Sequence, residues 1–247
     1  MTEATRAPVL LITPDQVDRY RRDGYLAVRA LFSTEEVLCW SAECDRLWRT
    51  MDSVADATRI QFRGQLEGGQ IADRLDPLVD VSPMFHRLTR DTRILRSIAA
   101  LLGTDGALMK AKLIAKRPGT MGYDMHQDYP YWAHMGIPAD DLLTVQVSID
   151  AADRSNGAIE MFPGLHHEWL ESPADAPMDV DEGKVDLSRW HLVEAAPGDI
   201  LLFHSLTPHR SGPNRSLRNR RAVFLTYTVA RHGDTYRRYH ESTGLRT

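Results

Sequence analysis

Apolar side chains recur at helical spacing in three segments of residues 13–103. The first helix is predicted to begin at Thr13, an N-cap residue followed by proline, and to end at Gly24. The second is predicted to begin with the capping-box pair Ser33 and Glu36. Its apolar positions fall on one face of a helix: Val37, Trp40, Cys44, Leu47 and Met51. This stripe predicts an amphipathic helix that packs on a core.

A third helix and a loop complete this N-terminal part. The helix is predicted to begin at Ser82, which is followed by proline, and to end at Gly103. Its apolar positions are Phe85, Leu88, Leu95, Ile98 and Leu101. Residues 53–80 show no period and contain three glycines, which predicts a long irregular loop. Residues 166–190, which are acidic and contain prolines, give the same prediction, and we expect both segments to act as lids over a substrate.

Residues 142–149 alternate between apolar and polar side chains, which is the period of a β-strand. The polar members share one predicted face: Thr144, Gln146 and Ser148. Further strands are predicted at residues 107–116, 158–162, 191–195, 199–203 and 222–229. Short strands separated by turn sequences predict an antiparallel barrel or jelly roll over about residues 107–230. We expect the chain to form a single domain of mainly β structure with flanking helices.

The composition is that of a globular protein, with 43% hydrophobic and 26% charged residues among 247. The formal net charge of -4 excludes a broad basic surface, so we expect neither nucleic acid nor an anionic membrane as a partner. The apolar run Val9 to Ile12 is too short for a signal sequence or a membrane span, which predicts a cytoplasmic protein. Cys39 and Cys44 predict two reduced thiols rather than a disulfide or a zinc site. None of these features specifies the oligomeric state.

A histidine stands two positions before an acidic residue at three places, where chance predicts roughly one or two. The pairs are His126 with Asp128, His166 with Glu168, and His232 with Asp234. The second pair opens the acidic segment and the third lies near the end of the sequence, so we expect both at the surface or in a lid. The first pair is followed by three aromatic residues and, further on, by His204 and His209 near a predicted strand. It is therefore the pair for which we expect a function.

Residues two apart on an extended segment point to one face, so His126 and Asp128 could present an imidazole and a carboxylate to one metal ion. His204 or His209 would supply a third ligand from a distant strand. Two histidines and one carboxylate leave three adjacent positions of an octahedral metal open, which is the arrangement of non-haem Fe(II) oxygenases. A structural cluster held by hydrogen bonds is the alternative interpretation.

Three runs of sequence resemble the phytanoyl-CoA dioxygenase family of Fe(II)- and 2-oxoglutarate-dependent oxygenases, which includes ectoine hydroxylase. They are MHQDYPYW, LLTVQVSIDAADRSNGAIEMFPGLHH and PGDILLFHSLTPHRSGPNRSLRNRRAVFLTY, in the order found in the family. Arg22-Asp-Gly-Tyr25 and the capping box after it also match, so the resemblance spans nearly the whole chain except the two irregular segments.

The resemblance implies a double-stranded β-helix, which is the cupin-like jelly-roll barrel. It also implies Fe(II) as the metal, with 2-oxoglutarate and O2 as co-substrates. The implied reaction hydroxylates or otherwise oxidises a C–H bond of a small metabolite and releases succinate and CO2. Asp128 occupies the position that related halogenases leave free for chloride, so the resemblance favours oxidation over halogenation.

Carried over residue by residue, the resemblance implies three iron ligands: His126, Asp128 and His209. The family pattern His-x-Ser-x-x-Asn fits His209 and does not fit His204. In the family, an arginine eleven residues beyond the distal histidine pairs with the far carboxylate of 2-oxoglutarate, which places that role on Arg220, with Arg218 as a weaker alternative. A guanidinium suits the role because it forms two parallel, charge-assisted hydrogen bonds with a carboxylate.

The resemblance also places Ser211 near the co-substrate and Gln146 on the inner face of the barrel, and Lys112 could reach the same site from its strand. Tyr131 and Trp132 could form a wall of the substrate pocket, although packing is an equally simple account of them.

The substrate is less well specified. Arg59, Arg63 and Arg74 in the first irregular segment would suit an anionic substrate, but an exposed charged loop is the simpler interpretation. The range of the family favours a small metabolite, such as an amino acid, a phosphonate or a natural-product intermediate. Two other functions stay open: a cupin-type metalloenzyme that does not use 2-oxoglutarate, and a non-catalytic barrel that binds a metal or a small molecule.

Overall fold

The computed structural model describes residues 11–50 and 59–243. The helices of this part of the chain are α1 (Pro14–Asp23), α2 (Thr34–Thr50), α3 (Pro83–Leu88), α4 (Thr92–Leu102) and α5 (Thr235–Ser242). Its strands are β1 (Tyr25–Val28), β2 (Ile60–Gly64), β3 (Gln70–Leu75), β4 (Gly106–Lys116), β5 (Tyr123–His126), β6 (Leu142–Ser148), β7 (Ile159–Met161), β8 (His191–Val193), β9 (Ile200–His204), β10 (His209–Ser211) and β11 (Arg220–Val229).

The strands form two antiparallel sheets. The larger sheet has the order β1-β9-β6-β11-β4-β3-β2, and the smaller one has the order β5-β10-β7-β8. Residues of both sheets meet in one hydrophobic cluster, in which Phe224 of β11 packs with Met161 of β7. Two such sheets with helices on one side confirm the predicted class, mainly β in a jelly-roll arrangement with flanking helices.

The larger sheet lies between helices α1–α4 and the barrel interior, whereas α5 packs on its inner side through Tyr239. Alternate side chains of β6 and β11 join the helices in the main core: Leu143, Val145, Val147, Val223, Leu225 and Tyr227. Their polar neighbours on β6 therefore face inward, as the alternation predicts. Gln146 is buried opposite Phe224 in the register of β6 and β11.

The first two helices begin as predicted. The Thr13 side chain accepts a hydrogen bond from the Gln16 backbone, and Gly24 ends α1 with a left-handed φ of 81°. The Ser33 backbone donates to Glu36 at 2.9 Å, which completes the second capping box. The predicted stripe of α2 is buried as far as Leu47, and Met51 lies outside the described residues.

The third predicted helix is wrong in one respect, because it is two helices. α3 ends at Leu88 and α4 begins at Thr92. The break lies at Asp91, whose side chain accepts a hydrogen bond from the Arg93 backbone at 2.9 Å and so acts as an N-cap. The apolar positions of α3 and α4 resemble the stripe of a single helix, because Leu88 and Leu95 are two helical turns apart.

The prediction of an irregular loop for residues 53–80 is also wrong over much of that range. Strands β2 and β3 form a hairpin there, with Gly68 and Gly69 in left-handed conformations at its turn. The hairpin joins the larger sheet through Arg74 and Leu75, which pair with Ile114 and Leu113 of β4. Residues 53–58 of the predicted loop lie outside the described residues.

Residues 166–190 contain no strand, as predicted, but they pack closely on the smaller sheet. The Val180 backbone donates a hydrogen bond to the Met125 carbonyl of β5 at 2.8 Å. Their side chains share a hydrophobic cluster with Phe162. None of the described helices is long and apolar enough to cross a membrane.

Candidate metal centre and cavity

Strands β5 and β10 bring two of the predicted ligands together. His126 and His209 are paired in the antiparallel register, with ring centroids 4.3 Å apart. Asp128 follows two residues after the end of β5, at the start of a 3-10 turn. One ligand atom from each of the three side chains lies within 4.8 Å of the others. Among the residues that the structure describes, no other set of three potential ligands is this close.

Backbone carbonyls fix the tautomers of both imidazoles. The Nδ1 atom of His126 lies 2.7 Å from the Asp124 carbonyl, and Nδ1 of His209 lies 2.9 Å from the Thr207 carbonyl. A carbonyl only accepts a hydrogen bond, so we assign the ring proton to Nδ1 in each case, which leaves the Nε2 lone pair for a metal. Burial lowers the pKa of His126 to about 3, with a smaller contribution from His209. His126 is therefore neutral at physiological pH, as a ligand must be.

Asp128 is buried and ionised. Burial alone would raise the pKa of its carboxyl, but His209 and Lys112 stabilise the carboxylate and the net shift is downward. The Thr144 hydroxyl donates to Oδ2 of Asp128 at 3.4 Å, and so orients the carboxylate from the inner face of β6. The site thus offers two imidazole nitrogen donors and one anionic oxygen donor.

His204, the competing third ligand, lies elsewhere. Its Nε2 atom contacts Asp140 at 3.1 Å and its Nδ1 atom accepts from the Leu206 backbone at 3.1 Å, so both nitrogens are used. The expectation of a surface position for His166 is wrong, because this ring is buried and packs against His204. His232 contacts Asp141 at 2.6 Å, away from the three clustered side chains.

A cavity of about 530 Å³ opens in front of the three clustered side chains. Arg220 lines it and is only 2% exposed, yet its Nε and Nη1 atoms have no hydrogen-bond partner within residues 11–50 and 59–243. Burial lowers its pKa to about 10, so the side chain is still a cation at neutral pH. A buried cation without a counter-charge is costly, and an anion in the cavity would relieve that cost.

The neighbouring arginines point away from the cavity. Arg221 pairs with Asp150 on the other face of β11, as strand alternation predicts. Arg218 pairs with Asp153 and is largely exposed. Arg220 is thus the arginine of this run that reaches the cavity.

Of the three other residues predicted to contact the co-substrate, two line the cavity and one does not. Ser211 and Lys112 both line the cavity, and burial lowers the pKa of Lys112 to about 7. Lys112 lies on β4, an interior strand of the larger sheet, rather than on an exposed sheet edge. Gln146 is buried on the inner face but is not part of the cavity wall, and its Nε2 atom donates to Ser148 at 3.3 Å.

Sequence analysis missed Lys116, which is fully buried behind Ser211. Its Nζ atom donates to the Ser211 hydroxyl at 2.7 Å and to the Gly212 carbonyl at 2.6 Å. Burial, with help from Arg220, lowers the pKa of Lys116 to about 6, so the amine is mostly neutral at neutral pH. Its inward position follows from the same alternation that places Lys112 inside β4.

The two aromatic residues after the metal motif both reach the cavity. Tyr131 is 44% exposed, and its ring meets the His126 ring edge-on at 6.1 Å. Trp132 is buried in a cluster with Leu142 and Tyr239 while it also lines the cavity. Tyr239 comes from the C-terminal helix, whose contribution to the cavity sequence analysis did not anticipate.

The most important residues that sequence analysis placed wrongly are Arg63 and Arg74. Both were expected in an exposed loop, and both line the cavity from the β2–β3 hairpin. Arg59, by contrast, pairs with Asp80 at 2.8 Å. The Gly68-Gly69 pair between two short runs was the signal for a hairpin, because such pairs favour tight turns between strands.

Comparison with known proteins identifies the family of this chain. Residues 20–222 match the family model described as phytanoyl-CoA dioxygenase (PhyH). The chain belongs to the phytanoyl-CoA dioxygenase family. It is therefore an Fe(II)- and 2-oxoglutarate-dependent dioxygenase, and the cofactor and co-substrates inferred from the resemblance are confirmed.

Relatives match the dioxygenase over nearly its whole length. The methylphosphonate hydroxylase of Gimesia maris is 28% identical, and the match covers 93% of this chain and 85% of that protein. A 2-aminoethylphosphonate dioxygenase from an uncultured bacterium is 26% identical, with 90% and 84% covered. The crystal structure of EctD from S. alaskensis with 2-oxoglutarate and 5-hydroxyectoine superposes with a TM-score of 0.79 at 22% identity, and covers 93% of this chain and 80% of EctD. This last likeness confirms the jelly-roll fold.

Proposed function

We propose that His126, Asp128 and His209 hold the Fe(II) of this dioxygenase. The donor set supports the assignment, since ligand atoms of two imidazoles and one carboxylate within 4.8 Å of one another suit Fe(II) and leave positions open for co-substrates. Bound Fe(II), together with 2-oxoglutarate and O2, supplies the oxidant that attacks a C–H bond of the substrate. The chain itself keeps His126 neutral and Asp128 ionised.

Arg220 binds the far carboxylate of 2-oxoglutarate. This proposal is carried by one observation, the buried guanidinium whose Nε and Nη1 atoms lack partners in the described chain and which lines the same cavity as the metal ligands. A bidentate pair with a carboxylate would satisfy those atoms and fix the orientation of the co-substrate. Ser211 supplies a further polar contact to the co-substrate from the cavity wall, and Lys116 positions the Ser211 hydroxyl.

The remaining wall residues exclude water and shape the substrate pocket. Tyr131 and Trp132 provide aromatic surface beside the metal ligands, and residues 166–190 extend the wall through Asp179. We propose that this segment closes over the substrate, a small metabolite. The relatives are named for phosphonates and for ectoine, so their names support a small polar substrate without selecting one.

The experiment is anaerobic reconstitution with Fe(II) and 2-oxoglutarate, monitored by the weak visible charge-transfer band of the iron chelate. We expect the band in the wild type, its loss in His209→Ala, and a weakened band with a higher apparent Kd for 2-oxoglutarate in Arg220→Ala. His191→Ala and Arg218→Ala are matched controls, because these side chains lie outside the cavity wall, and both should keep the band. A wild type that binds iron without a band, or a band unchanged in both test variants, would contradict the proposal.

A further inference from the structure

The β2–β3 hairpin adds two arginines to the wall of the cavity. The Arg63 guanidinium stacks 3.5 Å above the Tyr123 ring and donates to the Gly122 carbonyl at 3.0 Å. Arg74 donates to the Tyr123 hydroxyl at 3.4 Å, while its buried Nε atom has no hydrogen-bond partner in the described chain. Both side chains contact Tyr123, Arg63 also lies near the Asp73 carboxylate, and both keep N–H donors for a ligand.

The cavity is cationic although the whole chain carries a net charge of -4. Its wall contains six basic side chains: Arg63, Arg74, Lys110, Lys112, Arg210 and Arg220. It contains three acidic ones: Asp124, Asp128 and Asp179. The excess of positive charge in the wall points to ligands that carry more than one negative charge in total.

Half of these basic residues already have counter-charges. Lys110 pairs with Asp76 at 3.0 Å, and Arg63 lies 3.5 Å from Asp73. Arg210 pairs with two glutamates behind the smaller sheet: Glu160 and Glu182. Within residues 11–50 and 59–243, the other three basic residues of the wall form no ion pair: Arg74, Lys112 and Arg220.

The proposed co-substrate supplies a counter-charge to only one of these three basic residues, Arg220. Asp128 and the near carboxylate of 2-oxoglutarate offset the two charges of Fe(II), and the far carboxylate offsets Arg220. Arg74 and Lys112 then face the cavity without an ion-pair partner among the described residues. Burial lowers the pKa of Lys112 to about 7, so a neighbouring anion would be needed to keep it fully protonated.

The fold separates these two cations from Arg220. Arg74 pairs with Ile114 of β4, and Lys112 lies two residues further along the same inward face of β4. Arg220 belongs to β11, on the far side of β4, so the backbones of β3 and β11 are about 10 Å apart. The larger sheet therefore presents two cationic positions to one cavity.

We propose that Arg74, Arg63 and Lys112 form a subsite for an anionic head group of the substrate, a phosphonate or a carboxylate. Guanidinium groups favour such oxyanions because their fork of N–H donors matches two oxygens at once. The inference rests on the proposed function, because it assigns 2-oxoglutarate to Arg220 and leaves the second position to the substrate.

The test is calorimetric binding to the anaerobic enzyme loaded with Fe(II) and 2-oxoglutarate. The probes are two phosphonates, methylphosphonate and 2-aminoethylphosphonate, and their carboxylate counterparts, acetate and β-alanine. We expect saturable binding of at least one anion, with its Kd raised about tenfold or more in Arg74→Gln, since a hydrogen bond to a charged group is lost. Arg59→Gln is the matched control on the same side of the molecule, because Arg59 pairs with Asp80 outside the cavity wall, and its Kd should stay within about twofold.

The charge-transfer band separates failure of the subsite from failure of the proposed function. The band and the affinity for 2-oxoglutarate should be unchanged in Arg74→Gln, because the co-substrate is assigned to Arg220. If the band forms but no anion binds, or if Arg74→Gln binds anions as tightly as the wild type, the subsite is wrong. If the wild type gives no band, the proposed function is the part that fails. Preference for a phosphonate or for a carboxylate identifies the head group.

Discussion

At the scale of single residues, Arg220 is the clearest case of a side chain kept for a ligand rather than for stability. It is a fully enclosed cation whose Nε and Nη1 atoms have no partner in the described chain. Burying a charge without a partner opposes folding, and proteins retain such groups where a ligand supplies the missing charge.

This predicts that Arg220→Met stabilises the protein in the absence of 2-oxoglutarate. Methionine fills a similar volume without a charge, so we expect a gain of about 1–3 kcal/mol in the free energy of unfolding, or a rise in Tm of roughly 2–12 °C. Thermal unfolding of the metal-loaded protein, with and without 2-oxoglutarate, measures the effect. Arg218→Met, at an exposed position, should change Tm by no more than about 1–2 °C. A variant that melts below the wild type without co-substrate would contradict this account.

The site residues differ in how far sequence could predict them. His126, Asp128 and His209 follow from a local motif and from a resemblance that covers it, and the structure brings all three together. Arg63 and Arg74 could not be placed in the same way, because their orientation depends on how a hairpin pairs with β4. Lys116 was missed because a buried lysine is rare, although strand alternation places it on the same face of β4 as Lys112.

At the scale of elements, the break between α3 and α4 is stabilised by a small polar network. The Asp91 side chain caps α4 and also bonds the Arg93 guanidinium, which reaches Glu36 in the capping box of α2. One arginine thus connects the beginnings of two helices that lie on the same face of the larger sheet.

Replacing Asp91 with alanine should therefore cost more than the loss of a surface charge. We expect a loss of about 1–2 kcal/mol in the free energy of unfolding from the missing cap and the disrupted network. Denaturant unfolding measures it, and succinate formation should be unaffected because these residues lie outside the cavity wall. Asp18→Ala, on the exposed face of α1, is the control and should change stability by less than about 0.5 kcal/mol. Equal effects of the two substitutions would exclude the network.

Prediction of the elements succeeded where an element is long or capped by its own residues. β4, β6 and β11 were all expected, and the N-cap Thr13 and the capping-box pair Ser33 and Glu36 correctly predicted the starts of α1 and α2. The short strands β1, β5 and β10 were not expected, because three or four residues carry too little periodicity and their conformation depends on distant partners. The β2–β3 hairpin was missed because charged residues interrupt the apolar–polar alternation that marks a strand. Two of them, Arg63 and Arg74, face the polar cavity.

At the scale of the whole molecule, the proposed ligands connect the two sheets. The metal ligands come from β5, β10 and the turn after β5, all on the smaller sheet, whereas Arg220 begins β11 of the larger sheet. A 2-oxoglutarate that binds both the metal and Arg220 would therefore cross the interior of the barrel and hold the sheets together.

Hydrogen exchange should show this connection in two steps. Fe(II) alone should increase protection of amides in β5 and β10, and addition of 2-oxoglutarate should extend protection to the start of β11. A 2-oxoglutarate concentration of about one hundred times its Kd should stabilise the folded protein by about 2.7 kcal/mol. This stabilisation corresponds to a rise in Tm of roughly 5–11 °C. In Arg220→Ala the second step should disappear while the first stays. Protection confined to the smaller sheet in the wild type would mean that the co-substrate does not reach β11.

The attachment of the hairpin at the end of the larger sheet makes substrate choice separable from the oxidation chemistry. β3 pairs with β4, the Gly64 carbonyl of β2 accepts a hydrogen bond from the Met121 backbone at 2.8 Å, and none of the metal ligands belongs to the hairpin. Selection, or an engineer, could exchange residues 60–75 for the corresponding segment of a relative and alter which molecule is held, while the iron ligands and Arg220 remain as they are. In such a barrel, new specificities arise by recombination at the margin of a sheet, without rebuilding the catalytic interior.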